Sequence, residues 1–260
     1  MNNTISPGTH FFSVMSLNIR FGHAEDGPNN WIHRQDSITS LLSAFVYDFY
    51  AFQEANDSQI NYLSNILPNY KYIGQRNPAP KRWQNNVMFY HKSWLCIYYK
   101  HFYLSSSPNK PSKFRKSLWP RQCTLGIFKN GDQSLIIVTT HFDFEDVVQV
   151  KSAQLIRKRL RRHTGKGPIV LMGDFNATSD SECYLEFTSK LDGYPKFSNA
   201  FKTSCIGTNH GFTGKSKIKA VDWILYSGDL KVENTKVITN KFLDRYPSDH
   251  FPLIATFELQ

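Results

Sequence analysis

Two short runs of this chain hold side chains suited to phosphate chemistry: Gly173 to Asn176, reading GDFN, and Tyr246 to Pro252, which contains Ser248, Asp249 and His250. A carboxylate can hold or deprotonate a water, while a neutral carboxamide donates to an anionic phosphate oxygen without repelling it. Asp174 and Asn176 supply that pair. In an extended chain side chains alternate, which sends both to one side and Phe175 to the other. On the tetrapeptide alone, an Asp and an Asn that merely shape a turn are an equal reading. In the second run an acid adjoins a histidine, the side chain that changes charge nearest neutral pH.

Such groups act together only if separate segments deliver them to one place. Pro168 to Met172 is a short apolar run, the pattern of a strand buried on both faces, and Gly173 ends it. Val14 to Arg20 reads as a strand bringing Asn18 to its end, Asp48 to Glu54 as one bringing Glu54, and Leu135 to Asp143 as one bringing His141. Val221 to Tyr226 carries Asp222 near its start. Any one polar strand tip has a bland explanation; their repetition along the chain does not share one.

Between these strands, Trp31, Ile38, Leu41, Leu42 and Phe45 recur at helical spacing. A second helix follows Asp57, read as its N-cap, with Ile60, Leu63, Ile66 and Leu67 on one face. A long helix runs from about Glu145 to Arg162, and a shorter one starts near Ser181. Further strand-like runs are Tyr70 to Gly74, Asn86 to Tyr90, Trp94 to Tyr103 and Cys123 to Phe128, with a polar, basic loop from Ser105 to Pro120. This order predicts an α/β fold of two mixed, mainly antiparallel sheets packed face to face with helices outside.

The ordered set Asn18, Gln53 with Glu54, Thr140 with His141, the GDFN run, Asp222, and Ser248 to His250 resembles the endonuclease/exonuclease/phosphatase superfamily, which includes deoxyribonuclease I, exonuclease III and the CCR4-type deadenylases. The similarity runs from Ser13 to Leu259. It is nearest to a branch of bacterial metal-dependent hydrolases, through Asp26, Gly27, Asn30, Trp31, Arg34, Pro120 with Arg121, and Asp180, Ser181 and Tyr184. The resemblance implies a four-layer α/β/β/α sandwich and hydrolysis of a phosphate ester. It implies that Asp222 pairs with His250, that Asp174 and Asn176 handle the nucleophile and the transition-state phosphate, and that His141 contacts a phosphate oxygen or assists the leaving group. Arg121 would then grip the phosphate, a task suited to a bidentate guanidinium. The chain departs from the pattern at Phe144, where many relatives carry a second histidine, at Leu125, where tryptophan is common, and over Lys81 to Asn86. These departures leave metal chemistry intact and put the substrate in question.

Magnesium prefers oxygen ligands and needs only one or two protein carboxylates. Glu54 is the expected main ligand, with Asn18 beside it and Asp249 as a further one, and manganese is an alternative ion. Zinc has weaker support, since no close histidine pair or HExxH helix is present. No GxSxG run and no cysteine in an activating setting offers another nucleophile.

The 260 residues fit one domain over 1–260, and no Gly/Ser-rich or Pro-rich linker divides them. Cys96, Cys123, Cys183 and Cys205 are scattered without a CxxC pair, which argues against a disulfide framework. With no apolar run near ~20 residues and no signal-peptide pattern, the chain is expected to be a cytoplasmic monomer without a transmembrane segment, secretion without a cleaved signal staying open. The net charge of +10 favours an anionic partner without choosing one. Basic residues gather at Arg157 to Lys166, read as a solvated helix face, at Lys110 to Arg121 and at Lys215 to Lys219. Lys113, Arg115 and Lys116, on a loop, are expected to bind substrate. With Trp83, Phe114 and Trp119 interleaved, DNA, RNA or a nucleotide is the favoured phosphodiester. The alternatives are a small or lipid phosphate, such as an inositol phosphate, and a phosphate-binding module without catalysis.

Overall fold

The computed structural model describes residues 10–76, 83–202, 206–216 and 218–260; Lys81, Arg82, Cys205 and Lys217 lie outside them. In chain order the elements are β1 (His10–Asn18), α1 (Trp31–Ala44), β2 (Phe49–Ala55), α2 (Asp57–Ile66), β3 (Tyr70–Ile73), β4 (Asn85–His91), β5 (Leu95–Tyr103), β6 (Gln122–Asn130) and β7 (Gln133–His141). Then follow α3 (Asp146–Leu160), β8 (Ile169–Asp174), α4 (Glu182–Thr188), β9 (Ser198–Asn199), β10 (Asp222–Ser227), β11 (Leu230–Val237) and β12 (Leu253–Leu259).

The strands form two six-stranded sheets, ordered β11-β12-β1-β2-β4-β3 and β5-β6-β7-β8-β10-β9. Each contains one parallel pair joined through a helix, β1–α1–β2 in the first and β7–α3–β8 in the second, flanked by antiparallel strands. The two halves therefore repeat one arrangement. Because β1 packs against β8 and β2 against β7, the carboxyl ends of both parallel pairs meet at one edge of the sandwich. Carboxyl ends of parallel strands are where α/β sheets collect their functional groups.

The layering follows from side-chain alternation. Along β8, Ile169 and Leu171 pack toward Ile156 of α3 and Cys183 of α4, while Val170 and Met172 pack between the sheets with Val14, Ala51 and Met88. A third core joins Met15, Leu17, Tyr50 and Phe52 to Ile38 of α1 and Leu63 of α2. Helices on both outer faces make the four-layer α/β/β/α sandwich. Full burial of β8 on both faces explains its unbroken apolar run.

Some sequence expectations need correction. The cap of α2 is Asn56 and not Asp57: Asn56 Oδ1 accepts from Gln59 N at 2.9 Å while Gln59 Oε1 accepts from Asn56 N at 3.0 Å. This reciprocal box needs a Gln three residues after the cap, which Asp57 does not have. Leu125 is buried in the core beneath α3 and α4, so its departure from the resembling pattern changes packing there. On α3, Arg157 is buried and donates to Pro195 O and Ser189 O, so it anchors structure where a solvated face was expected. No helix among the described residues is long and apolar enough to cross a membrane.

Candidate active site

The strand ends bring the polar groups together through register. Asp174, the last residue of β8, lies beside His141 of β7 in the parallel register and beside Asp222 of β10 in the antiparallel one. From the opposite sheet, Asn18 at the end of β1 donates from Nδ2 to Asp174 Oδ2 at 3.0 Å and to Glu54 Oε1 at 3.1 Å. His141 Nε2 stands 3.5 Å from Asp174 Oδ2 and 4.0 Å from Glu54 Oε1. His250 Nδ1 donates to Asp222 Oδ2 at 2.8 Å, and its Nε2 is 3.8 Å from Asp174 Oδ2. Asp174 thus sits at the centre of a cluster drawn from both sheets.

Glu54 reaches this cluster by a backbone irregularity. Strict alternation would turn it away from the inward-facing Gln53, but the β2–β4 register shifts between Phe52 and Ala55, and Glu54 adopts φ +64°. Its Oε2 then accepts from Phe21 N at 2.9 Å. Asn176 also arrives through left-handed backbone, φ +47°, and not by the extended alternation expected after Asp174. Its Nδ2 lies 3.1 Å from His141 Nε2 and donates to Phe142 O at 3.0 Å. Arg20 is a third such residue at φ +60°. Left-handed non-glycine backbone costs roughly 1–3 kcal/mol per residue and gathers at functional sites.

The C-terminal turn is pinned onto β1. Ser248 Oγ donates to Asn18 O at 2.5 Å, and buried Arg34 of α1 donates from Nη1 to Ile19 O at 2.9 Å and Pro247 O at 2.6 Å. Asp249 Oδ2 lies 3.7 Å from Arg20 Nη1, whose guanidinium also clasps Asp26 at 2.8 and 2.7 Å. Arg121 is buried, with Nη1 3.0 Å from His141 Nδ1. Among the described residues, no hydrogen bond or ion pair joins Lys113, Arg115 or Lys116 to this cluster. They are exposed on the β5–β6 loop, where Lys113 Nζ donates to Leu118 O at 3.2 Å.

Electrostatics follow from burial of so many acids. Burial, then the neighbouring Asp222, pushes Asp174 up to about 7. Burial alone would lower His250, but Asp222 and Asp174 outweigh it and raise it to about 10. Burial and the adjacent Arg121 push His141 well below the ordinary histidine range, so it is neutral at physiological pH. The pair therefore splits into a charged His250 and an uncharged His141.

The cluster offers hard oxygen donors and no thiol, which fits a magnesium-like ion better than a soft metal. Asp174, Asp222 and His250 are buried with ligand atoms within 4.8 Å of one another, a spacing that can hold a metal. In that trio, however, His250 Nδ1 is committed to Asp222, and a protonated imidazole repels a cation.

Asn209 could not be found from the sequence. It forms an isolated bridge with His250 and places Nδ2 3.0 Å from His250 Nε2, but it lies in a loop with no pattern of its own. Asp143 closes the outer wall by accepting from Ser117 Oγ at 2.6 Å and Leu118 N at 3.0 Å. Gly173 sets the close approach of β7 and β8: at φ +149°, an added Cβ would lie 2.0 Å from Thr140 O. Gly173→Ala is expected to destabilise the protein by roughly 3 kcal/mol or more, read as a lower denaturant midpoint, because backbone must move. A midpoint like that of the parent would show that β7 and β8 are not held at this spacing.

The Endonuclease/Exonuclease/phosphatase family model matches residues 15–250. The CCR4-Not complex 3'-5'-exoribonuclease subunit Ccr4 of Yarrowia lipolytica is 24% identical over 88% of this chain, which spans 44% of that relative's length. A crystal structure of an endonuclease/exonuclease/phosphatase family protein from Bacteroides thetaiotaomicron is 25% identical, with a TM-score of 0.87 over 97% of this chain and 99% of that one. A mannosyl-6-phosphatase of the same organism is 26% identical, with a TM-score of 0.85 over 95% of this chain and 99% of its own. With a match that takes in every strand-end residue of the cluster, the chain belongs to the Endonuclease/Exonuclease/phosphatase family.

Proposed function

We propose that this chain hydrolyses phosphate esters with the help of a divalent cation, and that its substrate is a phosphodiester of a nucleic acid or nucleotide. The observation that carries this reading is the convergence of Asn18, Glu54, His141, Asp174, Asp222 and His250 from both sheets on one point. Water attacks phosphorus, a new P–O bond forms as the bond to the leaving oxygen breaks, one water proton passes to a base and one proton is taken up by the leaving oxygen.

Glu54, Asn18 and Asp249 would hold magnesium or manganese. When bound, the cation would screen the carboxylates and stabilise charge on the phosphate oxygens. Asp174, at the centre, orients the water and accepts its proton. Asp222 fixes the ring of His250 through Nδ1, leaving Nε2 to face the reacting group. Arg121 and Asn176 donate to phosphate oxygens, and neutral His141 assists at the leaving oxygen.

The net charge of +10 and the likeness to the exoribonuclease support the nucleic-acid substrate. A second reading, a sugar-phosphate monoester, is favoured by the likeness to the mannosyl-6-phosphatase over nearly both full chains. Hydrolysis with Mg²⁺ of single-stranded and duplex DNA, RNA, nucleotides, inositol phosphates and hexose 6-phosphates separates them. Turnover of hexose 6-phosphates alone would overturn the diester reading, and none on any ester would overturn hydrolysis.

The loop lysines and arginine give a sharper test of a polymeric substrate. Replacing Lys113, Arg115 and Lys116 together with Gln should weaken RNA or DNA binding and flatten its log–log salt dependence by up to about 2–3, near 0.7–0.9 for each phosphate no longer neutralised. Turnover at saturation should hold, since these exposed side chains are assigned no contact with the reacting phosphorus. An unchanged salt slope would favour a small substrate.

A further inference from the structure

We infer that the aromatic cleft beside the cluster is a subsite for a nucleobase of the substrate, an inference that rests on the hydrolase reading above. The cleft has a volume of about 630 Å³ and is lined by Phe21, His23, Trp83, Gln84 and Trp119, with Glu25 among the rest. Both walls are tied to the cluster. Phe21 N donates to Glu54 Oε2 at 2.9 Å, so the first wall begins where the proposed metal ligand ends. Trp119 and Pro120 immediately precede Arg121, whose Nη1 lies 3.0 Å from His141 Nδ1. A phosphate at the cluster would therefore lie next to both walls.

The walls are supported from behind. Trp83 packs against Tyr103 with ring centroids 6.0 Å apart, and the Arg76 guanidinium lies 4.7 Å from the Trp83 ring centroid. Trp119 is held through its loop by Asp143, yet its own side chain is 59% exposed, a large aromatic surface with little covering it. Phe21 and His23 meet edge to face at 5.4 Å.

The lining chooses the ligand class. Among the described residues its polar side chains are His23, Gln84 and Glu25, too few to replace water around the several hydroxyls of a hexose. A nucleobase instead offers flat π faces, which stack on tryptophan and phenylalanine whatever the base, and only a few edge groups in need of partners.

The test uses adenosine and mannose on the full chain in excess chelator, with tryptophan fluorescence as the readout, so that neither metal nor turnover enters. Adenosine should quench saturably and mannose should not. Trp119→Ala should weaken adenosine binding roughly tenfold or more, the affinity that stacking of one base supplies, while Trp119→Phe retains most of it. Trp119 is exposed enough that both variants should keep the parent melting temperature. No adenosine binding, mannose binding in its place, or adenosine affinity untouched by Trp119→Ala overturns the inference, even if phosphate esters are hydrolysed. Adenosine binding lost in Trp119→Ala, in a protein that hydrolyses no phosphate ester, would instead retain the subsite and refute the reading it rests on.

Discussion

Hydrolysis by this chain is expected to fall to background in excess EDTA and to return on addition of Mg²⁺ or Mn²⁺. Glu54, Asp174, Asp222 and Asp249 gather at this cluster, and the positive charge nearby is Arg20, buried Arg34, Arg121 and His250. Burial first, and then the charge of Asp222, push Asp174 up to about 7, so part of the shift is repulsion between neighbouring carboxylates. A phosphate dianion or diester entering such a site meets repulsion unless a cation comes with it. Glu54→Gln keeps the size and the acceptor for Phe21 N, but removes the charge and the second acceptor, which receives Asn18 Nδ2. It is expected to lower activity at fixed Mg²⁺ by roughly 10²–10³-fold and to raise the Mg²⁺ concentration needed for half-maximal rate, with the melting temperature little changed. Magnesium titrations of initial rate in parent and variant measure both. Full activity in excess chelator, or a Glu54→Gln enzyme with the parent magnesium response, would refute the proposed metal set. A magnesium response lost in Asp222→Asn but kept in Glu54→Gln would move the ion to the Asp174, Asp222 and His250 trio.

The second large effect concerns Asp222 and His250. The 2.8 Å bond from His250 Nδ1 fixes the ring, so that Nε2 points at Asp174, and the Asp222 charge offsets the burial that would otherwise strip the imidazole of its proton. Without the Asp222 carboxylate the ring loses the bond that orients it and the strongest support for its charge. His250→Ala and Asp222→Asn are each expected to lower kcat by roughly 10²–10⁴-fold, and the double variant should be little worse than the poorer single one, because the two side chains act as one unit. Steady-state kinetics on the four proteins of the cycle decide the point. Losses that multiply would show that the side chains work independently.

How much of this could be read from residue order depended on the distance over which the structure is encoded. The strand that ends at Asp174 was legible because five apolar residues before a glycine describe a doubly buried strand wherever it lies in the fold. The helix over Asp146–Leu160 was legible for the same reason, since its apolar spacing is local. The site residues at strand tips were legible as candidates, one segment at a time. The α2 cap was misassigned by one residue because Asn56 and Asp57 are both good caps and only the partner Gln59 distinguishes them.

The sequence alone determined the layered α/β class, the strand-end positions of Asn18, His141, Asp174 and Asp222, and through their order the resemblance to the family. Only the tertiary structure decided that Glu54 turns inward on a left-handed residue at a bulge, that Asn209 meets His250, and that Leu125 belongs to a core. It also left Lys113, Arg115 and Lys116 out on a loop and built the aromatic cleft from Phe21, Trp83 and Trp119. The division has a physical cause. Alternation and helical spacing are written by neighbours a few residues apart, whereas Asn18 reaches Asp174 across 156 residues of chain, a meeting fixed only when β1 packs on β8 and the two sheets bury the apolar surface between them.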